Sequence, residues 1–353
     1  MNVLVVSSYP PRHCGIGAYA RDQVQELRAA GDRVTVLSPP DGDGDVRVPF
    51  FGGRPFLAAA RIGGRFDLLL IHFQPALYYR PRAPLSKIAT SLALLWLVVR
   101  RRRTRILVHE ADRPMRLRPD YVLLGLALRA APSLRFHTDA ERRAVARDYG
   151  LPLRGAVIEH RVRTHAGVPR DEARRRLGVD GPPPVFVCPG FLQPSKGADR
   201  AVEAFASARG GSLYVVGSIR DATAENEAFV DALRRRCADV DGATLLERFV
   251  DDEAFDLWIS AADVLVLAYR SSWSSGVLAR AHAFGVPAVV CAAGGLPEQA
   301  GPADEVVGGD AELAIALRRV VERFEPTRGS PADPTGSRYA GGPVSPTIAK
   351  DRT

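Results

Sequence analysis

Short, uninterrupted apolar runs alternate with helical patterns along most of this sequence. Strands that are apolar on both faces, and that are separated by helices, indicate a parallel sheet covered on both sides. Because the pattern occurs twice, we predict an α/β protein with two Rossmann-like domains, each built on a doubly wound parallel sheet. The predicted strands cover residues 2–7, 33–38, 67–72, 105–109 and 133–138 in the first set, and 185–189, 212–217, 243–246, 263–268 and 287–291 in the second.

The connection between the two sets is typical of a linker. Residues 156–184 contain one short helical pattern and a Pro-rich stretch. We therefore expect an N-terminal domain over residues 1–165 and a C-terminal domain over residues 166–325. Beyond them the composition changes to Pro, Gly, Ser and Thr with few clustered apolar residues, so we predict that residues 326–353 form a disordered tail.

The composition limits where such a protein works and what it binds. No run reaches the ~18 apolar residues of a membrane span, and the first residues form a predicted strand rather than a secretory signal. The four cysteines lack metal-ligand or disulfide spacing, so a cytoplasmic location is expected. The net charge of +8 favours anionic partners such as nucleotide phosphates or lipid surfaces, whereas the absence of a nucleic-acid-binding motif argues against a nucleic-acid partner.

One segment departs from this pattern, between Lys87 and Arg105. About a dozen apolar residues, too few to span a bilayer, are followed directly by a run of arginines. A buried helix that ends in solvated charges would explain the segment. The alternative is a patch that contacts anionic lipids at the inner face of a membrane, which would fit peripheral attachment or a lipid-linked acceptor.

The loop after the first strand holds two glycines at the start of a helical pattern. Gly15 and Gly17 would let a ligand approach the backbone closely, and the positive end of the helix favours an anion there. The same GxGxxA spacing is found in dinucleotide-binding proteins, so an NAD(P)-dependent dehydrogenase is a rival interpretation. It fits poorly, because the stretch "SYPPRHC" separates the strand from the first glycine.

Two strand–loop–helix junctions in the second half also predict anion sites. Lys196 and Gly197 stand at a helix entrance, where an ammonium beside free main-chain N–H groups suits a diphosphate. Ser274, Ser275 and Gly276 open a later helix, whose N–H groups and hydroxyls suit an oxyanion or a sugar hydroxyl. A solvated lysine and an ordinary serine cap are the alternatives at these two places.

Taken in order, these segments resemble the retaining glycosyltransferases of family four, which have the GT-B fold. The stretch "YPPRHCGIGAYARD" resembles the glycine loop of that family, "PGFLQPSKGADRAVEAF" its G-x-L-x-x-x-K-G segment, and "SSGVLARAHAFGVPAVVCAAGGLPE" its donor-binding segment. The resemblance covers roughly residues 1–323. It implies two Rossmann-like domains that face each other across a cleft, with the nucleotide-sugar mainly on the C-terminal domain and the acceptor mainly on the N-terminal one.

The resemblance also implies an activity and a set of residues. The activity is transfer of a sugar from a nucleoside diphosphate sugar to the hydroxyl of a glycan, lipid-linked or small-molecule acceptor. It proceeds with retention at the anomeric carbon and without a metal or other cofactor, because positive side chains and helix N-termini stabilise the leaving diphosphate. The implied donor-binding residues are Gly15, Gly17, Gly190, Lys196, Gly197, Ser274, Ser275, Gly276 and Arg280, and the implied catalytic residues are His109 and Lys196.

The sequence departs from the family pattern at the donor-binding segment. Members often carry a Glu-x7-Glu pair, which alignment on Gly276 places at Ser272 and Arg280, and an Arg where this chain has Phe191. A subset of the family resembles this chain in lacking the first Glu. Arg280 cannot accept hydrogen bonds from ribose hydroxyls as a carboxylate does, so it would contact a phosphate or point away. His109 matches the position of a family histidine near the transferred sugar, although an ordinary strand-end histidine is the alternative.

These departures leave two other functions open. The chain would be a catalytically weak or inactive sugar-nucleotide-binding protein if it binds a donor without transfer or hydrolysis. It would be a sugar-nucleotide epimerase of the GT-B fold if it converts the donor sugar in the absence of an acceptor.

Overall fold

Two parallel β-sheets flanked by helices make up the computed structural model of the chain, which describes residues 1–111, 114–115, 118–160, 162–220 and 222–324. The predicted disordered tail over residues 326–353 lies outside the described residues. The strands of the first sheet are β1 (Asn2–Val6), β2 (Arg33–Ser38), β3 (Val46–Arg47), β4 (Leu68–Phe73), β5 (Thr104–Val108), β6 (Ser133–Phe136) and β7 (Ala156–Val157). Those of the second are β8 (Val185–Pro189), β9 (Ser212–Gly217), β10 (Ala243–Glu247), β11 (Val264–Leu267), β12 (Ala288–Cys291) and β13 (Glu305–Val307).

Helices connect most of these strands. Those among the strands of the first sheet are α1 (Gly15–Ala29), α2 (Arg54–Ile62), α3 (Pro75–Tyr78), α4 (Pro84–Arg100), α5 (Pro119–Ala130) and α6 (Asp139–Tyr149). Those that follow are α7 (Arg170–Leu177), α8 (Ala198–Ala208), α9 (Ala224–Ala238), α10 (Asp252–Ala261), α11 (Gly276–Ala283), α12 (Leu296–Gln299) and α13 (Asp310–Phe324).

The strand order of each sheet reverses once, and ligands commonly bind at such a reversal. The first sheet runs β3-β2-β1-β4-β5-β6-β7 and the second β10-β9-β8-β11-β12-β13. The chain therefore leaves β1 towards one edge of its sheet and returns beside β1 as β4, and it does the same at β8 and β11. In parallel sheets, ligands bind beyond the carboxyl ends of the strands at such reversals.

All ten predicted strands are present, with ends that differ by a residue or two. The strands that the sequence analysis missed are β3, β7 and β13, which have two, two and three residues. All three lie at sheet edges. A strand this short shows no periodic pattern, and an edge strand pairs on one side only, so little in its sequence marks it.

Alternate side chains of β1 supply the two cores of the first domain. Val3 and Val5 pack with Val24 of α1 on one face of the sheet. Leu4 and Val6 belong to the larger core on the opposite face, beneath α2, α4 and α5. A strand buried on both faces explains the uninterrupted apolar run from which it was predicted.

The described helices include none that is both long and apolar enough to cross a membrane. The apolar segment that begins at Lys87 lies in α4, which has 17 residues and packs against α2 and α5.

Candidate active site

A cavity of about 1010 Å³ lies between the two sheets, and both domains line it. The first domain contributes Gly15 at the start of α1 and His109 just after β5. The second contributes Lys196, Ser275 and Gly276. The structure therefore brings predicted site residues from distant parts of the chain to one cleft, beyond the carboxyl ends of β5 and β8.

Lys196 ends a short 3-10 turn (Pro194–Lys196) between β8 and α8. Its ammonium lies 3.9 Å from the centroid of the Tyr269 ring, a cation–π contact that fixes the side chain. Burial lowers the pKa of Lys196 to about 8, with Glu110 raising it and Arg220 lowering it. At neutral pH the ammonium therefore keeps its proton while being poorly solvated, which favours an anionic partner.

A second positive charge lies near Lys196, at a position that the motif does not predict. Phe191 occupies the place where the family resemblance expects an arginine. The guanidinium of Arg220 lies 6.0 Å from the centroid of the Phe191 ring, and both residues line the cavity. Arg220 follows β9 rather than β8, so the cleft receives a guanidinium from a different loop.

The start of α11 opens into the cavity. Ser275 caps the helix, and its Oγ accepts a hydrogen bond of 3.2 Å from the Leu278 N–H. The Ser275 N–H donates to Gln299 Oε1 at 2.8 Å, which fixes the preceding loop. Ser274 and Gly276 also line the cavity. The positive end of the helix dipole thus faces the same space as Lys196.

The loop glycines fall into two pairs. Gly15 and Gly190 line the cavity, and a Cβ added at either would meet no heavy atom within 4 Å, so a ligand has room beside the main chain. A Cβ added at Gly17 would lie 3.3 Å from an atom just beyond β1, and one at Gly197 only 1.9 Å from an atom just beyond β11. These two glycines permit close helix packing, and neither lines the cavity.

Arg280 lines the cavity, but carboxylates of α10 hold its guanidinium. Nη1 lies 2.5 Å from Asp256 Oδ1, and Nη2 lies 3.2 Å from Asp252 Oδ1. Arg280 and Asp256 are both buried. Asp252 also pairs with Arg21 of α1 at 2.6 Å, so the network extends across the cleft. This geometry favours a structural role for Arg280, and its predicted contact with the donor stays a prediction.

His109 is the end of a chain of hydrogen bonds that leads into the first domain. His109 Nε2 lies 3.0 Å from His72 Nδ1, and His72 Nε2 lies 3.0 Å from Gln23 Oε1. An amide oxygen only accepts, so His72 Nε2 carries the proton and His72 Nδ1 accepts from His109 Nε2. Burial lowers the pKa of His72 to about 3 and that of His109 well below its ordinary value. Because both rings are neutral, His109 Nδ1 has a free lone pair and acts as an acceptor.

Four imidazoles surround the ring of Tyr19. The centroids of His72, His109, His137 and His160 lie 5.1 to 5.6 Å from its centroid, each in an edge-on arrangement. Burial lowers the pKa of His137 to about 3 and that of His160 to about 4. These imidazoles are therefore uncharged at neutral pH, and Tyr19, His109 and His160 give this side of the cleft an aromatic part of its lining.

Glu141 places a carboxyl group in the same cavity. Its Oε2 accepts hydrogen bonds from the N–H groups of His137 and Thr138, as part of the capping box of α6. Burial nevertheless raises the pKa of Glu141 to about 7. The group can thus be protonated or ionised near neutral pH, and it lines the cleft between the domains.

Sequence reasoning missed several residues of this cleft for identifiable reasons. Glu141 gives the ordinary signature of a helix start, and no local signal marks its burial. His160 lies outside every motif that the sequence analysis singled out, yet its Cε1 lies 3.3 Å from where a Cβ of Gly276 would be. Tyr19 follows the predicted glycine loop by two residues.

Part of the chain matches a known family. Residues 183–323 match the family described as "Glycosyl transferases group 1". This range contains β8 to β13, Lys196 and the start of α11, so the similarity to that family lies in the C-terminal half of the chain. No curated protein matches the sequence.

Solved structures are similar over nearly the whole chain. The Anabaena protein HepE in complex with UDP is 16% identical, with a TM-score of 0.67, over 92% of this chain and 91% of that one. Sucrose-phosphate synthase from Thermosynechococcus elongatus is 19% identical, with a TM-score of 0.67, over 91% and 90%. The catalytic domain of starch synthase IV from Arabidopsis thaliana, bound to ADP and acarbose, is 12% identical, with a TM-score of 0.65, over 92% of each chain. These similarities confirm the predicted GT-B fold.

Proposed function

We propose that this glycosyltransferase moves a sugar from a nucleoside diphosphate sugar to an acceptor hydroxyl, with retention at the anomeric carbon and without a metal. The observation that carries the proposal is the convergence of Lys196 and the start of α11 on the wall of one cleft, opposite His109. The solved structures with the same fold include complexes with UDP, UDP-glucose and ADP. A nucleoside diphosphate is thus the class of ligand that we assign to this cleft.

The C-terminal wall would stabilise the leaving group. As the bond between the anomeric carbon and the phosphate oxygen breaks, negative charge develops on the diphosphate. Lys196, the N–H groups at the start of α11 and the nearby Arg220 are already in place to interact with that charge. Groups that are fixed before the reaction lower the barrier most, because no solvent or side chain has to reorganise.

The N-terminal wall would position the acceptor and the sugar. His109 Nδ1, held as an acceptor by His72 and Gln23, suits a hydroxyl group of either one. We assign no enzymic nucleophile. The acceptor oxygen forms its bond to the anomeric carbon on the face from which the phosphate departs, and the departing phosphate oxygen takes the acceptor proton. Attack on that face gives retention.

Contacts between the domains would limit hydrolysis of the donor. His13 stacks on Phe249 at a centroid distance of 3.7 Å, and the Ala140 N–H donates to Glu298 Oε2 at 2.9 Å. Together with the pair between Arg21 and Asp252, these contacts join the two domains around the cleft. A closed cleft excludes water from the reacting carbon.

A donor-binding protein without transferase activity is the second candidate. The observation that favours it is Arg280, which stands where related enzymes often carry the second Glu and which is bound to Asp256. A protein of this kind would bind nucleotide-sugars and leave them intact with every acceptor offered.

A thermal-shift screen of nucleoside diphosphates and their sugars tests the proposal. We expect at least one nucleotide to raise the unfolding temperature of the parent chain, and Lys196→Ala to abolish the rise. Lys87→Ala, which changes the other described lysine on the remote helix α4, is the matched control and should behave as the parent. An unchanged shift in Lys196→Ala would refute the assignment of Lys196. Turnover of the bound donor, measured as release of the nucleoside diphosphate, then separates the enzyme from the inactive binding protein.

A further inference from the structure

The outer face of α4 and α5 exposes large apolar side chains. Leu92, Trp96 and Val99 of α4 are 53%, 42% and 52% exposed, and Val122 and Leu126 of α5 are 53% and 47% exposed. The spacings of four and three residues place each set on one side of its helix. Because α4 and α5 pack side by side on the same face of the first sheet, these five residues form one surface, called here the α4–α5 face.

An apolar groove of about 530 Å³ adjoins this face. Val122 and Leu126 belong both to the face and to the wall of the groove, and Met115, Tyr121 and Leu151 are among its other lining residues. Asp148 lines the groove and also lines the cleft between the domains. The groove therefore adjoins the α4–α5 face and shares one lining residue with the candidate active site.

Positive charge is concentrated in the part of the sequence that contains α4. Residues 54–105 contain eleven arginines and lysines and a single acidic residue, Asp67. The first 165 residues contain 27 basic and 14 acidic residues, whereas the remaining 188 contain 21 and 26. An anion attracted by this chain would thus meet the N-terminal domain first.

The arginine run that follows α4 is not uniform. Arg101 donates to the Ala60 carbonyl oxygen, and Arg103 pairs with Asp67 at 3.7 Å, so these two help to hold the fold. Arg100 and Arg102 are exposed. The guanidinium of Arg100 lies 5.6 Å from the centroid of the Trp96 ring, which places a cation directly beside an exposed aromatic side chain.

We propose that the α4–α5 face docks on the surface of an anionic phospholipid bilayer. An exposed apolar stripe with arginines at its edge is the arrangement that lies in a membrane interface, with the apolar side chains among the acyl chains and the cations at the lipid phosphates. The charge around this face is what selects a bilayer over a second copy of the chain, since two copies would bring two strongly basic surfaces together.

The docked orientation suggests which class of acceptor the protein uses. This inference rests on the proposed function. With the α4–α5 face on the bilayer, the groove lies beside the lipid and shares Asp148 with the cleft. The class of acceptor that fits is a hydroxyl compound with a hydrocarbon chain, which would enter along the groove from the membrane.

Co-sedimentation with vesicles tests the docking directly. We expect the full chain to bind vesicles of equal parts phosphatidylcholine and phosphatidylglycerol on the order of tenfold more tightly than vesicles of phosphatidylcholine, and the binding to weaken as salt is added. We expect two double variants to bind anionic vesicles more weakly, each by on the order of tenfold. One combines Leu92→Glu with Trp96→Glu, and the other combines Arg100→Glu with Arg102→Glu. All four side chains are exposed, and equal unfolding temperatures would show that the variants fold.

The matched control lies on the other domain. Ile315 of α13 is 50% exposed and Arg323 is also exposed, so Ile315→Glu with Arg323→Glu makes equivalent changes on a face that the proposal leaves free. This variant should bind anionic vesicles as the parent does. In the parent, the fluorescence emission of Trp96 should shift to shorter wavelength on binding, and Trp96→Phe should remove that shift.

Equal binding to neutral and anionic vesicles, or no binding to either, would overturn the proposal. The parent could instead form a dimer in solution and bind no vesicles. If both α4–α5 variants dissociated that dimer, the proposal would be overturned, and the face would bind a second copy of the chain. Lys196→Ala keeps the two proposals apart. It should lose the nucleotide-induced thermal shift and bind vesicles normally, so failure of one measurement leaves the other standing.

Discussion

The two walls of the cleft differ in kind. The N-terminal wall combines neutral rings, those of Tyr19, His109 and His160, with carboxyl groups such as that of Glu141. The C-terminal wall presents the Lys196 ammonium, a nearby guanidinium and the start of α11. The domains as wholes have the opposite charges: the basic excess lies in the first 165 residues and the acidic excess in the rest. The net charge of a domain thus describes its whole surface and does not indicate which charges line the cleft.

Arg280 and Lys196 are two of the cations on the C-terminal side of the cleft, and we expect their substitutions to have different effects. Arg280→Ala should destabilise the protein by about 1–3 kcal/mol, since it removes the guanidinium from the buried Asp256, which keeps its contacts with His165. Arg280→Glu should destabilise it further by placing a third carboxylate beside Asp252 and Asp256. Chemical denaturation measures both effects. An unchanged unfolding free energy together with lost nucleotide binding would instead make Arg280 a ligand of the donor.

The pH dependence of nucleotide affinity tests the charge of Lys196. Burial lowers the pKa of Lys196 from 10.5 to about 8, and only the protonated form attracts a diphosphate. Affinity should therefore be full below pH 8 and fall above it by about tenfold per pH unit, the limit for a site that must be protonated. Lys196→Arg should hold its affinity through this range, because a guanidinium keeps its proton. Titration calorimetry across the range measures both. A parent curve that stays flat to pH 10 would exclude a contact of this ammonium with the diphosphate.

We expect substitutions at His109 and Gln23 to change the turnover number rather than the affinity for the donor. His109→Ala should lower kcat by about tenfold, the loss of one well-placed hydrogen bond, with little change in the KM for the donor. Gln23→Met should lower kcat by about threefold, since it removes the amide that fixes the tautomer of His72, whereas Gln23→Glu keeps an acceptor oxygen there. Steady-state kinetics with the donor varied decides the matter. A rise in the donor KM with unchanged kcat would indicate that His109 contacts the donor rather than the acceptor.

The smallest effect is expected at the cap of α11. Ser275→Ala should lower stability by about 1 kcal/mol, since it removes the acceptor for the Leu278 N–H, and should weaken nucleotide binding about threefold. Ser275→Thr retains a hydroxyl and serves as the control. Thermal unfolding with and without nucleotide gives both quantities. Equal values for the two variants would show that the cap contributes nothing to the C-terminal wall.

The fold could be predicted because its signals are local. The run that forms β1 is apolar at consecutive positions because Val3 and Leu4 face different cores. Ser275 and Gly276 could be placed at a helix start because serine caps leave a mark in the sequence, and the helix does begin at Gly276. The strands β3, β7 and β13 could not be predicted in this way, because a strand of two or three residues is too short to show a periodic pattern of apolar residues.

The candidate site could be predicted only in part, because its decisive features are pairings between distant segments. The partner of Arg280 is Asp256, on a different helix, and nothing near Arg280 in the sequence indicates it. Similarly, Arg220 reaches Phe191 from another loop. The tautomer of His109 depends on Gln23, a residue of α1 that is 86 positions away and linked through His72. Such contacts appear only once the sheets are folded.

A crystal structure of the chain with a bound nucleoside diphosphate, chosen by the thermal-shift screen, tests the central claim most directly. The account predicts the diphosphate in the cleft between the domains, with a phosphate oxygen within hydrogen-bond distance of Lys196 Nζ and another at the first N–H groups of α11. A nucleotide bound against the imidazoles of the N-terminal wall, or with its phosphates away from both Lys196 and α11, would contradict it.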